Sequence, residues 1–238
     1  MRWDGFQRPI YRSFLRLLLS HQQTKHVMKT RIFISALVSV VTIGAVAFAS
    51  ACSSPENLSS PKVGEAAPGF TAVDSNGNEI NLADYAGKYV VLEWSNFGCP
   101  FVKKHYDSGN MQDLQTRWTA EEVVWLSVVS SAPGKQGHYP PEEMNAEFTS
   151  RNASPSAIIM DEDGSVGQAY GARTTPHMFV IDPQGTLIYM GAIDDKPTTD
   201  QEDVEGAVNY VSAALEASMA GNFVEVTVTK PYGCNVKY

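Results

Sequence analysis

Apolar runs alternate with polar, turn-forming segments from about residue 63 onward. Two runs, residues 89–94 and 122–129, are almost continuously apolar, and residues 157–161 form a shorter run of the same kind. Such runs are typical of strands that are buried on both faces of a sheet. The chain from residue 63 therefore contains at least three strands that belong at the centre of a sheet.

Two pairs of shorter runs are joined by turn residues. Residues 70–74 and 79–80 flank an Asn-Gly turn, and residues 177–182 and 186–191 flank the turn Pro-Gln-Gly at 183–185. Runs joined by such turns predict β-hairpins.

Helical patterns fill the intervals between the predicted strands. We expect one helix from Cys99 and Pro100 toward Trp118, and others over 142–151, 166–170 and 204–219, where apolar residues recur at helical spacing. Strands interleaved with helices and closed by a hairpin and a helix indicate an α/β domain with a mixed sheet.

Charge is distributed unevenly along the chain. Residues 1–51 carry seven basic residues and one acidic residue, whereas residues 52–238 carry 25 acidic and 11 basic residues. An acidic surface repels phosphate backbones, so no nucleic-acid partner is expected.

The basic N-terminal part has the features of a targeting segment. A positive stretch after Met28, an uncharged run over 32–51 and small residues before Cys52 predict a signal peptide over 28–51. We interpret Cys52 as a lipidation site, 52–61 as a flexible tether, and 1–27 as an extension from a start codon assigned too early. Simple cleavage before Cys52, giving a soluble secreted form, and an uncleaved anchor remain alternatives. All three versions place the protein outside the cytoplasm. The lipid anchor and the uncleaved anchor would also hold it at a membrane.

Cysteine usage is sparse. If Cys52 carries a lipid, Cys99 and Cys234 are left as a pair in an oxidising compartment. Such a pair is either a redox couple or a structural disulfide, and the residues alone leave both open.

Cys99 has the sequence context of a reactive thiol. It follows a buried strand and opens a helix whose second residue is Pro100. Free amide groups and the dipole at a helix start favour the thiolate, which is the reactive form. The alternative is a small buried cysteine without reactivity.

Four segments, 63–70, 87–93, 99–102 and 175–182, carry a family resemblance. Together they resemble the thioredoxin superfamily, within it the alkyl-hydroperoxide-reductase/thiol-specific-antioxidant (AhpC/TSA) branch, over about 62–221. The resemblance implies a thioredoxin-like domain, with a central mixed sheet flanked by helices and an N-terminal hairpin extension. Residues 222–238 then form a tail that carries Cys234. No bound cofactor is implied.

The resemblance also implies roles for individual residues. Cys99 matches the attacking cysteine, Pro176 matches a cis-proline that faces it, and Thr175 would offer its backbone to a substrate. Glu93 matches a buried acid that moves a proton, although an ordinary strand residue is an alternative. Val102 replaces the second cysteine of the thioredoxin motif, so no local disulfide can form.

We therefore expect an exported thiol-disulfide oxidoreductase, acting on a thiol or disulfide protein and a redox donor protein. Cys234, in a tail expected to be mobile, is the candidate resolving cysteine, or else half of a permanent bridge. Peroxide reduction is an alternative, but Val102 and Asn96 depart from the peroxiredoxin pattern.

A different class of function is a binding module, either an inert scaffold or a copper carrier using Cys99 and His177. His105 is a further histidine near the predicted site, and we assign no metal site. Lys103 and Lys104 are expected to form a solvated helix face.

Overall fold

The computed structural model describes residues 60–238. The signal peptide, the lipidation site Cys52 and the upstream extension lie outside the described residues, as does the tether up to residue 59. Within 60–238, no helix is both long enough and apolar enough to cross a bilayer.

Nine strands and five α-helices are described. The strands are β1 (Thr71–Asp74), β2 (Glu79–Asn81), β3 (Val90–Trp94), β4 (Val124–Val129), β5 (Ala157–Met160), β6 (Thr174–Thr175), β7 (His177–Ile181), β8 (Leu187–Gly191) and β9 (Cys234–Asn235). The helices are α1 (Pro100–Asp107), α2 (Asn110–Ala120), α3 (Pro141–Ser150), α4 (Ser165–Tyr170) and α5 (Tyr210–Met219), and short 3-10 turns span Leu82–Tyr85 and Gln201–Val204.

Seven strands form one mixed sheet in the order β2-β1-β5-β4-β3-β7-β8. The three long apolar runs are its centre, where β3, β4 and β5 run parallel. Both predicted hairpins are present, β1 with β2 and β7 with β8. A strand buried on both faces must be apolar at every position, which is why these runs show no alternation.

Alternate positions of the central strands enter two different cores. Val91 of β3 packs beneath the layer that contains α1, α2, α3 and α5, whereas Leu92 packs on the opposite face with α4. Each such side chain contributes about 1.5–3 kcal/mol by leaving water. The exception in β3 is Glu93, which faces the first core and is fully buried.

Two helices differ from the sequence prediction. The helix expected from Cys99 to Trp118 is broken after Asp107, because Gly109 adopts a left-handed conformation and α2 starts anew at Asn110. The helix expected from residue 204 begins only at Tyr210. Its N-cap, Asn209, accepts a hydrogen bond from the Ser212 amide, while Gly206 interrupts the helical path with a φ of +76°.

The C-terminal tail lies against the domain along most of its length. It first bridges the edge of β8, where Val228 pairs with Met190, then forms β9 against β6. Glycines allow this close approach at two places. A Cβ at Gly191 would collide with Thr229, and one at Gly233 would collide with the carbonyl oxygen of Thr175. In this structure the tail is a packed part of the fold.

Candidate active site

Cys99 lies where the central strand β3 passes into α1. It is the N-cap residue of α1, and Pro100 occupies the first helical turn, where its missing N–H leaves no helical bond unmade. The side chain of Cys99 is completely buried. The strand-loop-helix position expected from the sequence is therefore present, while the thiol itself is closed off from solvent.

Hydrogen bonds surround the Cys99 sulfur. Sγ lies 3.0 Å from the Thr175 carbonyl oxygen, to which the thiol donates, and 3.4 Å from the Cys234 amide, from which it accepts. Burial raises the pKa of Cys99, but hydrogen bonds from the Cys234 side chain and amide and from the Val102 amide outweigh it and leave the pKa lowered. A lowered pKa favours the thiolate, the form that attacks disulfides.

Cys234 lies in β9, directly opposite Thr175 in the two-stranded sheet. Its side chain is partly exposed, and both cysteines are free thiols. Burial, the hydrogen bond to Cys99 and the charge of Cys99 raise the pKa of Cys234 to about 11. The two thiols are therefore unequal, since the pKa of Cys99 is lowered and that of Cys234 is raised.

The segment around Pro176 completes the site. The bond between Thr175 and Pro176 is cis, and Thr175 contacts Cys99 through its carbonyl group. The backbone edge of Thr175, where a substrate is expected to bind, is paired with the tail at Cys234. The structure thus brings Cys99, Cys234, Thr175 and Pro176 together in one place.

Glu93 is enclosed in the core beneath this site. Its carboxylate accepts hydrogen bonds from four side chains at 2.8–3.2 Å. The donors are Tyr106, Gln115, Trp125 and Ser127. Burial raises the pKa of Glu93, and the four donors oppose that rise without cancelling it. No hydrogen bond joins Glu93 to Cys99 within the described residues, so the structure places the acid near the site but not on the sulfur.

A second polar cluster lies on the other side of α1. Lys104 is buried rather than solvated, which corrects the expectation for this residue, whereas Lys103 is exposed as expected. The Lys104 ammonium lies 3.6 Å from Asp194 Oδ2. Tyr232, in the tail, donates a 2.5 Å hydrogen bond to Asp194 Oδ1. The spacing of the sequence did not reveal this cluster, because its members are distant in the chain.

His177, the histidine considered as a copper ligand, and the nearby His105 both make other contacts. The ring nitrogens of His105 lie 3.1 Å from the Tyr232 hydroxyl and 2.8 Å from the Asn110 amide nitrogen. His177 accepts a hydrogen bond from the Arg173 amide. Across residues 60–238, no group of three or more His, Cys, Asp or Glu side chains is placed to hold a metal ion.

Comparison with known proteins gives the family. The profile of the AhpC/TSA family matches residues 63–190, which is more than half of the chain. The chain belongs to the AhpC/TSA family. This match confirms the resemblance drawn from the sequence, and the AhpC/TSA segment includes Cys99, Glu93 and Pro176. Cys234 lies beyond the matched segment.

Two bacterial proteins are similar to this chain. The thiol-disulfide oxidoreductase ResA of Bacillus subtilis is 26% identical over 163 residues, covering 67% of this chain and 84% of its own. A protein of Mycobacterium tuberculosis (strain H37Rv), provisionally named a peroxiredoxin, is 30% identical over 137 residues, covering 56% of this chain and 78% of its own.

Solved structures match the fold. A hypothetical protein of Sinorhizobium meliloti has a TM-score of 0.61 at 24% identity, covering 76% of this chain and 96% of its own. An uncharacterised conserved protein of Geobacillus kaustophilus has a TM-score of 0.60 at 24% identity, covering 74% and 92%. The thioredoxin-like α/β fold class expected from the sequence is confirmed.

Proposed function

We propose that this AhpC/TSA-family protein is a thiol-disulfide oxidoreductase in which Cys99 attacks and Cys234 resolves. The observation that carries the proposal is the position of Cys234, whose amide hydrogen-bonds to the Cys99 sulfur from a strand paired with Thr175. ResA of Bacillus subtilis, which is similar to this chain, has a name that gives the same reaction class.

The reaction balances with the two cysteines alone. The Cys99 thiolate attacks one sulfur of a partner disulfide, forming a mixed disulfide and releasing the partner's other sulfur as a thiolate. Deprotonated Cys234 then attacks Cys99 Sγ, which forms the Cys99–Cys234 disulfide and releases the partner's second thiolate. The partner gains two electrons and the two protons that the cysteines lose. A redox donor protein with a dithiol reverses these steps to regenerate the protein.

Access to Cys99 requires that the tail move. Cys99 is completely buried, and the edge at Thr175 is occupied by β9. A protein substrate that binds at Thr175 takes the place of Cys234 there, and the return of the tail then brings Cys234 to the mixed disulfide. Pro100 and Pro176 shape the backbone on either side of the sulfur in both states.

We assign proton transfer at this site to Glu93. Its raised pKa makes Glu93 a better proton acceptor than an ordinary carboxylate. Because its hydrogen bonds run to four other side chains, a proton exchanged with Cys99 would pass through an intervening water molecule.

Insulin reduction tests the function. Wild type, Cys99→Ser and Cys234→Ser are assayed with a dithiol reductant. We expect Cys99→Ser to abolish the activity and Cys234→Ser to accumulate a mixed disulfide that mass spectrometry detects. A wild type no faster than Cys99→Ser would overturn the oxidoreductase proposal and leave an inert disulfide scaffold.

Peroxide reduction is a second candidate, favoured by the M. tuberculosis relative that carries the peroxiredoxin name. Here the Cys99 thiolate attacks a peroxide oxygen, giving a sulfenic acid and an alcohol or water, and Cys234 condenses with the sulfenic acid to release water. A peroxide-consumption assay with the same variants separates the two reactions, since only peroxidase activity consumes peroxide.

We place the protein on the extracytoplasmic side of a membrane, with Cys52 as its lipid anchor. The support is the positive segment, apolar run and small-residue exit before Cys52 in the sequence. Cell fractionation of wild type and Cys52→Ala tests this. The anchored protein is expected in the membrane fraction, and Cys52→Ala is expected to leave it.

A further inference from the structure

Tyr232 ties the tail to the helix that starts at Cys99. It precedes Cys234 by two residues, and its hydroxyl donates a 2.5 Å hydrogen bond to Asp194 and lies 3.1 Å from His105 Nε2. His105 belongs to α1, six residues after Cys99 and therefore about 9 Å along the helix. One hydroxyl thus connects the tail to the element that carries the nucleophile.

The surroundings of that hydroxyl are charged and dry. Lys104 and His105 have fully buried side chains, and Asp194 is almost fully buried. The Lys104 ammonium also donates a 2.7 Å hydrogen bond to the Lys196 carbonyl. Buried charges are costly unless they are paired and hydrogen-bonded. The Tyr232 hydroxyl donates a hydrogen bond to Asp194 Oδ1, whereas Asp194 Oδ2 has no hydrogen bond among the described residues. Seating the tail therefore adds a donor to a buried carboxylate that has few.

The aromatic ring of Tyr232 also contacts α1. The Tyr232 ring lies 5.7 Å from the ring of Phe101, which is also on α1, and the Lys104 ammonium lies 5.8 Å from its centroid. The hydroxyl and the ring therefore both bind to α1 or to the cluster beside it. Cys234 follows immediately and reaches Cys99 through the strand that pairs with Thr175.

We propose that Tyr232 is a latch, a positioning residue whose hydroxyl, held by Asp194 and His105, keeps Cys234 on Cys99 and keeps Cys99 closed to external thiols. The latch rests on the proposed function for its role in exchange. Its effect on access to Cys99 is independent of that function. Tyr232 touches neither sulfur in the reaction, and it acts through the position of the tail.

The first measurement is the equilibrium of the cysteine pair with glutathione. The protein dithiol and one oxidised glutathione give the protein disulfide and two reduced glutathiones, so the equilibrium constant is the effective concentration of the two thiols. Tyr232→Phe keeps the ring and removes the hydroxyl. Because the hydroxyl bonds to a charged group, and such hydrogen bonds are stronger than those between neutral groups, we expect this constant to fall roughly tenfold.

The second measurement is the alkylation rate of Cys99 by iodoacetamide, in a Cys234→Ala background. Tyr232→Phe is expected to raise this rate by the same factor, because the tail leaves Cys99 more often. Tyr89→Phe is the matched control. The Tyr89 hydroxyl bonds to Ser218 of α5 and to no residue of 230–238, so its loss is expected to change neither quantity.

Unchanged glutathione equilibrium and unchanged alkylation in folded Tyr232→Phe would overturn the latch, even if insulin reduction still depends on Cys99. Conversely, faster alkylation in a protein that does not reduce insulin would support the latch and reject the proposed function. If Tyr232→Phe does not fold, His105→Leu removes one of the two hydroxyl contacts. We then expect roughly a threefold change in both measurements, and no change overturns the proposal.

Discussion

The main-chain amide of Cys234 donates a 3.4 Å hydrogen bond to the Sγ atom of Cys99, although 135 positions separate the two residues. This contact joins the end of the chain to the start of α1. It also stabilises negative charge on the sulfur, since an amide donor favours the thiolate over the thiol.

Replacing Cys234 is expected to raise the pKa of Cys99. In Cys234→Ala the donation from the side chain is lost, while the burial that raises the pKa remains. The onset of Cys99 reactivity then moves to higher pH. Thiolate absorbance in the ultraviolet, titrated against pH, measures this. Cys234→Ser retains a hydroxyl donor and should shift the pKa less, so equal curves for wild type and Cys234→Ala would contradict the prediction.

Gly233→Ala is expected to lift β9 from β6. The added methyl group would collide with the Thr175 carbonyl oxygen, and Gly233 has a φ of +135° that other residues rarely adopt. Formation of the Cys99–Cys234 disulfide under mild oxidation, followed by mass spectrometry, should fall sharply. Gly221→Ala is the control, because Gly221 also has a positive φ but has nothing near its Cβ position. Equal disulfide yields in the two variants would show that the close approach at Gly233 is unimportant.

Glu93→Gln is expected to change how stability depends on pH. The pKa of Glu93 is raised in the folded protein, so its contribution to stability is fully present below the unfolded pKa of about 4.3 and is lost as the pH rises through the folded value. Glutamine does not titrate. The free energy of unfolding of wild type, measured in urea, should therefore fall relative to that of Glu93→Gln as the pH rises above about 4.3. A difference independent of pH would contradict the raised pKa.

Asp194→Ala is expected to destabilise the fold strongly. It leaves the buried ammonium of Lys104 without its carboxylate, and breaking a buried ion pair costs about 3–5 kcal/mol. Glu216→Ala is the control, because the Arg117–Glu216 pair is about half exposed. Its loss should cost less than about 1 kcal/mol. Urea denaturation of both variants checks this, and similar costs would mean that Lys104 finds another partner.

Local patterns were enough for most of the sheet. The continuous apolar runs at β3 and β4 and the turn residues of the two hairpins depend on neighbours in sequence, so they could be predicted. The helix predicted after Cys99 is longer than the helix observed. Gly109 can adopt several backbone conformations, and only the packed structure selects the left-handed one that breaks the helix.

Part of the candidate active site could also be predicted from residues that are neighbours in sequence. Cys99 and Pro100 are adjacent and lie at a strand-to-helix junction, which the sequence displays. The position of the tail depends instead on contacts between residues far apart in the chain, such as that of His105 with Tyr232, which is 127 positions away. It also depends on β9, a strand of only two residues. The prediction that Lys104 is solvated is wrong, because nothing near Lys104 in the sequence indicates the Asp194 carboxylate that pairs with it.

The position of Cys234 has a consequence for the order in which the protein matures. Every other described strand and helix precedes it, so synthesis from the N-terminus delivers the partner sulfur after the elements that hold Cys99. The sheet and its helices can assemble before Cys234 reaches Cys99 and before β9 covers the surroundings of that thiol. During that interval Cys99 is open to any oxidant or foreign thiol in its compartment, and the pairing of β9 with β6 ends that exposure.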